Sequence, residues 1–497
     1  MISKLFLPGE ELRPGRSRAA AVVERVLALP ESEVEEVAAQ LLRDFSGRHR
    51  DYEQMLQRHA AIVSSRVEGT VELSAARTLV IGAAFTAEFA LEGAALCNPS
   101  AVPAPDQSGL EPGQLRVAVS MRSIGEGHLS SIGFATAVIG PGPTWTFESR
   151  ATPPEVGTPS IGRWRREHLR AVLVDQGRID ELAHSVLAAL PESFTGSDLG
   201  RVLAEAQLDL LGRQGGPATA DLLRQLAAAA YDVEFAADGE LSGRTLMPAI
   251  AQENNGMEDA RFVRFHTAAD TPAGAAARVA DGHSDSTAGG TGNSGGTVEY
   301  RATYTAYDGS HIAPRLLTSP DLRTFRARPL AGPSARNKGM ALFPRAIRGR
   351  QYALCRSDGE STFIASSPDG VRWGKAQLVQ QPEQAWETLQ IGNCGPPIET
   401  PHGWLALTHG VGPMRVYQIG AVLLDLDEPW RMTKRLLTPL LTADADEREG
   451  YVPNVVYSCG GLVFDGRLWV PYGVGDARIA VAWADVDELI EAMTPVG

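Results

Sequence analysis

One short cluster of acidic and basic residues could do chemistry. Glu258, Asp259 and Arg261 follow Gly256 and lead directly into an apolar run. A carboxylate held beside a guanidinium near an open cavity can act as an acid catalyst, and the arginine can bind an anion. The same pattern also occurs in surface ion pairs, so the cluster alone leaves both interpretations open.

The composition limits the classes of partner. The chain has 497 residues, of which 43% are hydrophobic and 21% are charged, as is typical of a globular protein long enough for more than one domain. Its formal net charge of −14 disfavours nucleic acid and anionic membranes as partners, because both require a basic surface. A small local basic pocket is still compatible with this charge.

The cysteines and the N-terminus indicate the compartment. The four cysteines lie far apart without metal-ligand spacing, which predicts reduced, packed thiols and no metal site. The first residues lack the long apolar core and the small-residue cleavage site of a signal peptide. No apolar stretch approaches the roughly 18 residues of a membrane span. We therefore expect a cytoplasmic protein.

The chain alternates between helical and strand-like patterns. Residues 1–76 are predicted to form an N-terminal helical segment, because apolar residues recur at helical spacing after Pro30. Residues 77–159 contain short apolar runs bounded by Gly, Pro or Ser, beginning with 78–81, and these runs predict strands. Residues 160–232 return to helical spacing, which predicts a helical insertion within a β-domain.

Strands are predicted again over residues 233–497. Within them, residues 266–297 are rich in Ala, Gly, Thr and Ser and predict a flexible hairpin loop, because they bury little apolar surface. Residues 318–325 and 366–373 share a Ser-x-Asp turn followed by an aromatic residue. Such a repeat of short strands is typical of a β-propeller, here with about five blades. The predicted fold is therefore an all-β core, a five-bladed β-propeller, with an N-terminal helical segment and a helical insertion.

A series of short motifs runs in order through residues 77–490. It includes Cys97-Asn98-Pro99-Ser100, Met121-Arg122-Ser123, Glu258-Asp259-Ala260-Arg261, Asn337-Lys338-Gly339, Leu354-Cys355-Arg356, Thr408-His409-Gly410 and Gly475-Asp476. Each motif is weak singly, but the ordered series resembles glycoside hydrolase family 130, the mannoside phosphorylases and related β-mannosidases. The five-bladed propeller of that family agrees with the strand pattern.

The resemblance implies roles for the matching positions. The acid catalyst of the family matches Asp259, and basic residues of its phosphate site match Lys338 and Arg356. The other matches line the mannose pocket or the phosphate side, and they are Asn98, Arg122, Asp476, His409 and Tyr417. Gln390 departs from the pattern, because some phosphorylases carry a further basic residue there.

Three further residues are candidates from their position in the chain. Arg261 stands beside Asp259 and could help to hold phosphate. Glu126 and His128 follow Arg122 on a glycine-bracketed turn, which makes them candidate substrate contacts. For the basic candidates the alternative is a structural ion pair, and a histidine in an apolar strand is often a satisfied core residue.

These expectations predict an enzyme, a glycoside phosphorylase acting on β-mannosides. An inverting phosphorylase needs one acid, because phosphate is the nucleophile and is held by charge-assisted hydrogen bonds. The expected partners are a β-mannoside oligosaccharide and inorganic phosphate as co-substrate, without another cofactor. Helical additions in this family often pack between subunits, so a homo-oligomer is compatible with the sequence.

Two alternative functions stay open. One is a β-mannosidase on the same fold, which would use water as nucleophile and a second carboxylate such as Asp476 or Glu126 as base. The other is a non-catalytic sugar-binding propeller. The intact acid motif at Asp259 argues against the second alternative.

Overall fold

A computed structural model of the protein describes residues 1–7, 11–13, 16–64, 73–206, 212, 215–267 and 297–496. Most of the regular structure in these residues is β-strand, which agrees with the predicted β-core. None of the described helices combines the length and the hydrophobicity that crossing a bilayer requires. The predicted loop over residues 266–297 falls largely outside the described residues.

The N-terminal part is mainly helical, and its last helix extends past the predicted boundary at residue 76. Its elements are β1 (Ile2–Leu5), β2 (Glu11–Arg13), β3 (Arg16–Ser17), α1 (Arg18–Leu27), α2 (Glu31–Phe45), α3 (Tyr52–Ser64), α4 (Ala75–Ala84) and β4 (Thr86–Phe89). The strand predicted at residues 78–81 is wrong, because these residues lie inside α4. Ser74 caps this helix by accepting a hydrogen bond from the amide of Arg77, at 3.1 Å. A four-residue apolar run suits a buried helix as well as a strand, and here the helix is buried against α3.

The second part contains long antiparallel strands and then the insertion. Its first strands are β5 (Ala95–Pro103), β6 (Leu115–Ile124), β7 (Ser130–Ile139), β8 (Trp145–Phe147), β9 (Glu155–Val156), β10 (Thr158–Ile161) and β11 (Arg163–Arg165). The insertion consists of α5 (Arg166–Asp175), α6 (Glu181–Ala189), β12 (Ser193–Thr195), α7 (Gly196–Ala204) and α8 (Gly216–Ala229). The helical insertion is thus present, and a short β11–β12 ribbon at its base was not predicted.

The remaining described chain is almost entirely strand. Its elements are β13 (Tyr231–Glu234), β14 (Arg244–Leu246), β15 (Gly256–Thr267), β16 (Thr297–Tyr307), β17 (Ile312–Ser319), β18 (Thr324–Pro329), β19 (Ala341–Leu342), β20 (Gln351–Cys355), β21 (Thr362–Ser367), β22 (Gln377–Gln380), β23 (Gln390–Asn393), β24 (Ile398–Thr400), β25 (Gly403–Val411), β26 (Tyr417–Leu424), β27 (Met432–Arg435), β28 (Val456–Tyr457), β29 (Leu462–Phe464), β30 (Arg467–Val474), β31 (Arg478–Asp485), α9 (Val486–Glu491) and β32 (Thr494–Pro495). β15 and β16 pair as far as Thr267 and Thr297, so the predicted hairpin is confirmed at its described ends.

The strand pairing follows a repeating order. Five antiparallel units can be traced, namely β5-β6-β7-β8, β15-β16-β17-β18, β19-β20-β21-β22, β23-β25-β26-β27 and β28-β30-β31. The first two units are joined in one larger sheet, because Gly256 of β15 pairs with Ser130 of β7 in parallel. The mostly-β architecture is therefore clear. The pairing of the described strands does not by itself demonstrate a ring of separate blades, so the five-bladed propeller stays a prediction.

A buried polar network ties the insertion to the strand that carries the acidic cluster. Glu253, immediately before β15, is fully buried and accepts hydrogen bonds from Tyr231 at 2.9 Å and Tyr304 at 2.6 Å. Arg315 donates to the Tyr304 hydroxyl at 2.9 Å and also to the carbonyl of Ala229, the last residue of α8. Because buried polar groups are costly unless satisfied, this network fixes the start of β15 relative to the insertion.

The insertion also depends on a neutral histidine. His168 in α5 donates from Nε2 to the carbonyl of Pro329 at 2.7 Å and lies against Trp164. Burial lowers its pKa from 6.5 to about 4, with the hydrogen bond to Pro329 acting in the opposite direction. Between these two values the unfolded chain binds a proton that the folded protein does not, so stability falls as the pH drops from about 6.5 toward 4.

We predict that His168→Gln will flatten this pH dependence, because glutamine can donate to Pro329 but does not titrate. The wild-type protein should lose roughly 2–3 kcal/mol more than the variant between neutral pH and pH 4. Urea unfolding at several pH values measures this difference. Equal losses for both proteins would contradict the prediction.

Candidate active site

A β-bulge brings the two acidic residues of the cluster together. The register of β15 against β16 shifts between Glu258 and Arg261, and Asp259 has a positive φ of 55°. In a regular strand neighbouring side chains point to opposite faces. Here both carboxylates reach one guanidinium, since Arg122 donates to Glu258 at 2.7 Å and lies 3.8 Å from Asp259.

Asp259 is buried and held from two other strands. Asn98 donates from Nδ2 to Asp259 Oδ1 at 2.5 Å, and Asn98 itself has a positive φ of 52° at a bulge in β5. Arg122 is oriented by Ser130, whose hydroxyl accepts from Nε at 2.9 Å. The structure thus assembles three predicted residues, Asn98, Arg122 and Asp259, in one cluster.

Arg261 has a different role from the predicted one. Its side chain is buried and donates to the carbonyl of Cys394 at 2.7 Å, to the carbonyl of Asp259 at 3.0 Å and to the hydroxyl of Tyr457 at 3.0 Å. These contacts use the guanidinium within the protein, where it joins β15 to the end of β23 and to β28. We therefore remove Arg261 from the candidate phosphate contacts.

Lys338 lies next to the cluster in an ion pair. Its Nζ donates to Glu258 Oε2 at 2.5 Å, and 43% of its side chain is exposed. Lys338 is thus a member of an ion pair, the alternative that the sequence left open. Its exposure still leaves the ammonium accessible to an anion from solvent.

A second polar group forms around Gly392. Arg356 donates to Gln390 Oε1 at 2.9 Å and to the carbonyl of Gly359, while its buried Nε has no hydrogen-bond partner among the described residues. The buried Nδ1 of His409 also lacks one there. A Cβ at Gly392 would lie 2.7 Å from the His409 ring and 2.9 Å from Arg356 Cδ, so only glycine permits this approach. The Nε–H of Arg356 can donate to an anion or a hydroxyl group, and the unpartnered ring nitrogen of His409 can form a hydrogen bond with a hydroxyl group.

His409 is packed as a neutral ring. Its ring stacks on Tyr417 with centroids 6.1 Å apart and meets the edge of Tyr457 at 4.8 Å. Burial, followed by the charges of Arg356 and Arg261, lowers the pKa of His409 well below 6.5. A role for His409 as a hydrogen-bonding group is therefore more consistent with the structure than a role as a cation.

The two aspartates of the cluster differ in ionisation. Burial raises the pKa of Asp259, but Arg122, Arg261 and the hydrogen bond from Asn98 outweigh burial and hold it below the usual value. Burial and then the charge of Asp259 raise the pKa of Asp476 to about 6, while the charge of Arg122 acts to lower it. Asp476 Oδ1 is buried and has no hydrogen-bond partner among the described residues. In this arrangement Asp259 is consequently ionised at neutral pH and does not carry the proton of a general acid.

Glu126 and His128 lie at the edge of the cluster. Both are exposed on the turn between β6 and β7, and His128 contacts the hydroxyl of Tyr451 at 2.9 Å through Nδ1. No described contact joins either residue to Asp259. They remain candidate rim contacts for a longer substrate.

Two hairpins share the same turn geometry. In the β6–β7 and β25–β26 turns, the amide of Gly125 or Gly412 donates to the carbonyl four residues later, at 3.0 Å in both. Arg122 and His409 each stand three residues before that glycine. The equivalent of His128 in the second turn is Arg415, which is exposed and has a positive φ of 55°. The resemblance of the turns is visible in the sequence only as a shared glycine spacing.

Several residues without a predicted role also lie here. Glu258 bridges Arg122 and Lys338, and Gln390 positions Arg356. Asn393 donates to the carbonyl of Gly339 at 2.7 Å and has a buried Oδ1 without a described partner. The position of Glu258 in the acidic motif before Asp259 could have identified it as a site residue. Tyr457 is one aromatic residue in an apolar strand and gave no such signal.

The four cysteines do not supply reactive groups. All four are buried and unpaired. Burial raises the pKa of Cys355 and of Cys394 to about 12, and it raises the pKa of Cys97 and Cys459 as well. Protonated, buried thiols are inert. Cys97, Cys394 and Cys459 lie near Asp259 or Arg261, whereas Cys355 packs in the apolar cluster of Val263 and Leu316.

Part of the chain resembles a known protein family. Residues 297–495 match the family model of glycoside hydrolase family 130, which is described as a beta-1,4-mannooligosaccharide phosphorylase. The resemblance stated from the sequence motifs is thereby confirmed. The matched region contains Lys338, Arg356, His409 and Asp476, whereas Asp259 precedes it.

Curated relatives carry related names. The chain is 37% identical over 155 residues to 1,2-beta-oligomannan phosphorylase of Thermoanaerobacter sp. (strain X514), which covers 31% of this chain and 52% of that protein. It is 38% identical over 167 residues to beta-1,4-mannooligosaccharide phosphorylase of Ruminococcus albus, covering 31% and 50% respectively. The chain thus spans about half the length of the curated relatives it matches.

A solved structure is also similar. Beta-1,2-mannobiose phosphorylase from Listeria innocua, in complex with beta-1,2-mannobiose, aligns with a TM-score of 0.44 at 20% sequence identity. The alignment covers 80% of this chain and 92% of that one.

The approach of Arg356 and His409 across Gly392 can be tested directly. Gly392→Ala should displace one of the two side chains and weaken the binding of an added anion such as phosphate, at an overpacking cost of about 1–3 kcal/mol in stability. Calorimetric titration with phosphate and thermal melting measure the two effects. Gly200→Ala is the matched control, because a Cβ there meets nothing within 4 Å. Unchanged phosphate affinity in Gly392→Ala would contradict this account of the site.

Proposed function

We propose that this protein is an inverting phosphorylase that cleaves β-mannosides with inorganic phosphate and releases mannose 1-phosphate. Asp259 is the general acid in this proposal. The observation that carries it is the clustering of a buried, hydrogen-bonded carboxylate beside cations, with unpartnered polar atoms on both sides. The names of the curated relatives support the choice of β-mannosides.

The sugar side would consist of acceptors around Asp259. Asn98 Oδ1 and Asp476 Oδ1 are both buried without described partners, and they would accept hydrogen bonds from hydroxyl groups of the mannosyl unit. Arg122 would complete this side as a donor. Glu126 and His128, at the rim, would contact the leaving sugar.

The phosphate side would consist of donors. Arg356 offers its unpartnered Nε, and Lys338 offers an exposed ammonium once it leaves Glu258. His409 and the neighbouring Tyr417 would complete the contacts as neutral groups. Charge-assisted hydrogen bonds of this kind are the strong ones, and they would orient phosphate for attack opposite the leaving group.

The chemistry requires one displacement. A phosphate oxygen would attack the anomeric carbon as the bond to the glycosidic oxygen breaks, with inversion. The proton of Asp259 would pass to the departing oxygen, through a mannose hydroxyl if the family resemblance extends to this step. Asp259 must first take up a proton, and an anion placed among its cations would raise its pKa.

Phosphate dependence is the decisive test. Wild-type protein incubated with β-mannobioses of different linkage should form mannose 1-phosphate only when phosphate is present. Asp259→Asn should reduce this rate by about 10²–10⁴-fold, the usual contribution of a general acid, while the melting temperature stays near that of wild type. Free mannose released equally fast without phosphate would favour the β-mannosidase. Sugar binding without any turnover would favour the non-catalytic alternative.

The donors can be tested separately. Lys338→Ala and Arg356→Ala should each raise the KM for phosphate more than the KM for the mannoside. Loss of a charge-assisted hydrogen bond costs about 1.5–3 kcal/mol, or roughly a ten- to hundredfold change. Initial rates at varied phosphate and mannoside concentrations give both constants. A larger effect on the mannoside would return these residues to the role of structural ion pairs.

A further inference from the structure

Glu258 lies between two cations that belong to different halves of the site. It is 4% exposed, and its two oxygens are divided between them. Oε1 accepts from Arg122 on the sugar side at 2.7 Å, and Oε2 accepts from Lys338 on the phosphate side at 2.5 Å. A single buried carboxylate therefore links the two proposed subsites.

Arg122 is shared between two carboxylates. Its Nη2 donates to Glu258, while its Nη1 lies 3.8 Å from Asp259 Oδ1. A guanidinium that moves toward one carboxylate must weaken its interaction with the other. Lys338 is the member of this chain that solvent reaches, because 43% of its side chain is exposed against 5% for Glu258. An anion would thus meet Lys338 first.

We propose that Glu258 couples the arrival of phosphate to the protonation of Asp259. Phosphate bound by Lys338 draws the ammonium away from Glu258, which then holds Arg122 more tightly. The hold of Arg122 on Asp259 weakens, and Asp259 takes a proton from solvent when the nucleophile is in place. This inference rests on the proposed function, since it concerns the same acid and the same anion.

Asp259 has other charged and titratable neighbours on the elements packed around it. They are Cys97 on β5, Arg122 on β6, Arg261 on its own strand, Lys338, Asp476 after β30, Tyr457 on β28 and Cys459. Arg261 is committed to protein acceptors, and the tyrosine and the thiols stay neutral. The described contacts therefore leave Glu258 as the group that touches the cations of both subsites.

Glu258→Gln should strengthen phosphate binding and at the same time hinder the protonation of Asp259. Without the charge of Glu258, Lys338 is free for phosphate, so the KM for phosphate should fall roughly two- to tenfold. Arg122 then turns fully to Asp259, which stays ionised to lower pH. In the pH profile of kcat, the alkaline limb should therefore move to lower pH by about half a unit or more, and kcat at neutral pH should fall. A purely structural role would raise the KM and leave the limb in place, which would overturn the proposal.

Lys338→Met tests the same coupling in the other direction. In this variant Glu258 interacts with Arg122 alone, and the interaction of Arg122 with Asp259 weakens. The alkaline limb of the pH profile should therefore move to higher pH, while the KM for phosphate rises. Glu399→Gln is the matched control, since Glu399 pairs with Arg345 at 2.6 Å away from the cluster, and it should move neither quantity. Shifts of the same sign in Glu258→Gln and Lys338→Met would refute the coupling. Should Glu258→Gln fail to fold, the direction of the shift in Lys338→Met alone decides.

Proton uptake can be measured without turnover. Sulfate stays a dianion near neutral pH, so titration calorimetry with sulfate in buffers of different ionisation enthalpy counts protons bound by the protein alone. Wild type should take up a proton fraction that falls to less than about half in Glu258→Gln and in Asp259→Asn, and any fraction left in Asp259→Asn belongs to Asp476, whose pKa is about 6. Sulfate binding without uptake in the wild type would overturn the coupling and leave the proposed function intact. Failure of both sulfate and phosphate to bind would instead refute the proposed function, and the coupling with it.

Discussion

The buried guanidinium of Arg261 is the contact on which the arrangement of the site depends. It donates to the carbonyls of Asp259 and Cys394 and to the hydroxyl of Tyr457, and so holds together strands from three parts of the chain. Hydrogen bonds from a charged group contribute about 1.5–3 kcal/mol each, and a lost donor would leave buried acceptors unsatisfied. Lysine could not replace it, because one ammonium lacks the planar set of donors that reaches three acceptors in different directions.

This anchor also explains why a strained backbone persists at the cluster. Asn98, Asp259 and Asp476 all have positive φ values, between 50° and 55°. Asparagine and aspartate tolerate this conformation better than other residues with a side chain, yet it still carries a cost. The hydrogen bond from Arg261 to the Asp259 carbonyl holds the bulge in which both acidic side chains face Arg122. Strain at these three positions is thus compensated by contacts elsewhere in the same cluster.

Local patterns in the sequence predicted local structure well. Apolar residues at helical spacing located the insertion, and the composition of residues 266–297 indicated a hairpin whose described ends pair as expected. The run at residues 78–81 misled, because burial of a short apolar run is equally possible in a helix, and the cap at Ser74 decided between them. The identity of most site residues came from the order of the motifs. The hydrogen-bond partners of these residues could not be predicted in this way, since Cys394 and Tyr457 lie far along the chain from Arg261 and no spacing rule connects them.

Because Gln390 is uncharged, the ion pair between Lys338 and Glu258 has a large effect on the proposed anion affinity. A basic residue at this position would repel Arg356, whereas the amide oxygen of Gln390 accepts from Arg356 and orients it at 2.9 Å. With His409 neutral and Arg261 used within the protein, the proposed phosphate side has two cations, Arg356 and Lys338. One of these is shared with Glu258. A site with few cations is sensitive to how each one is partitioned, so the contact between Lys338 and Glu258 affects anion affinity more here than it would in a pocket with a third positive charge.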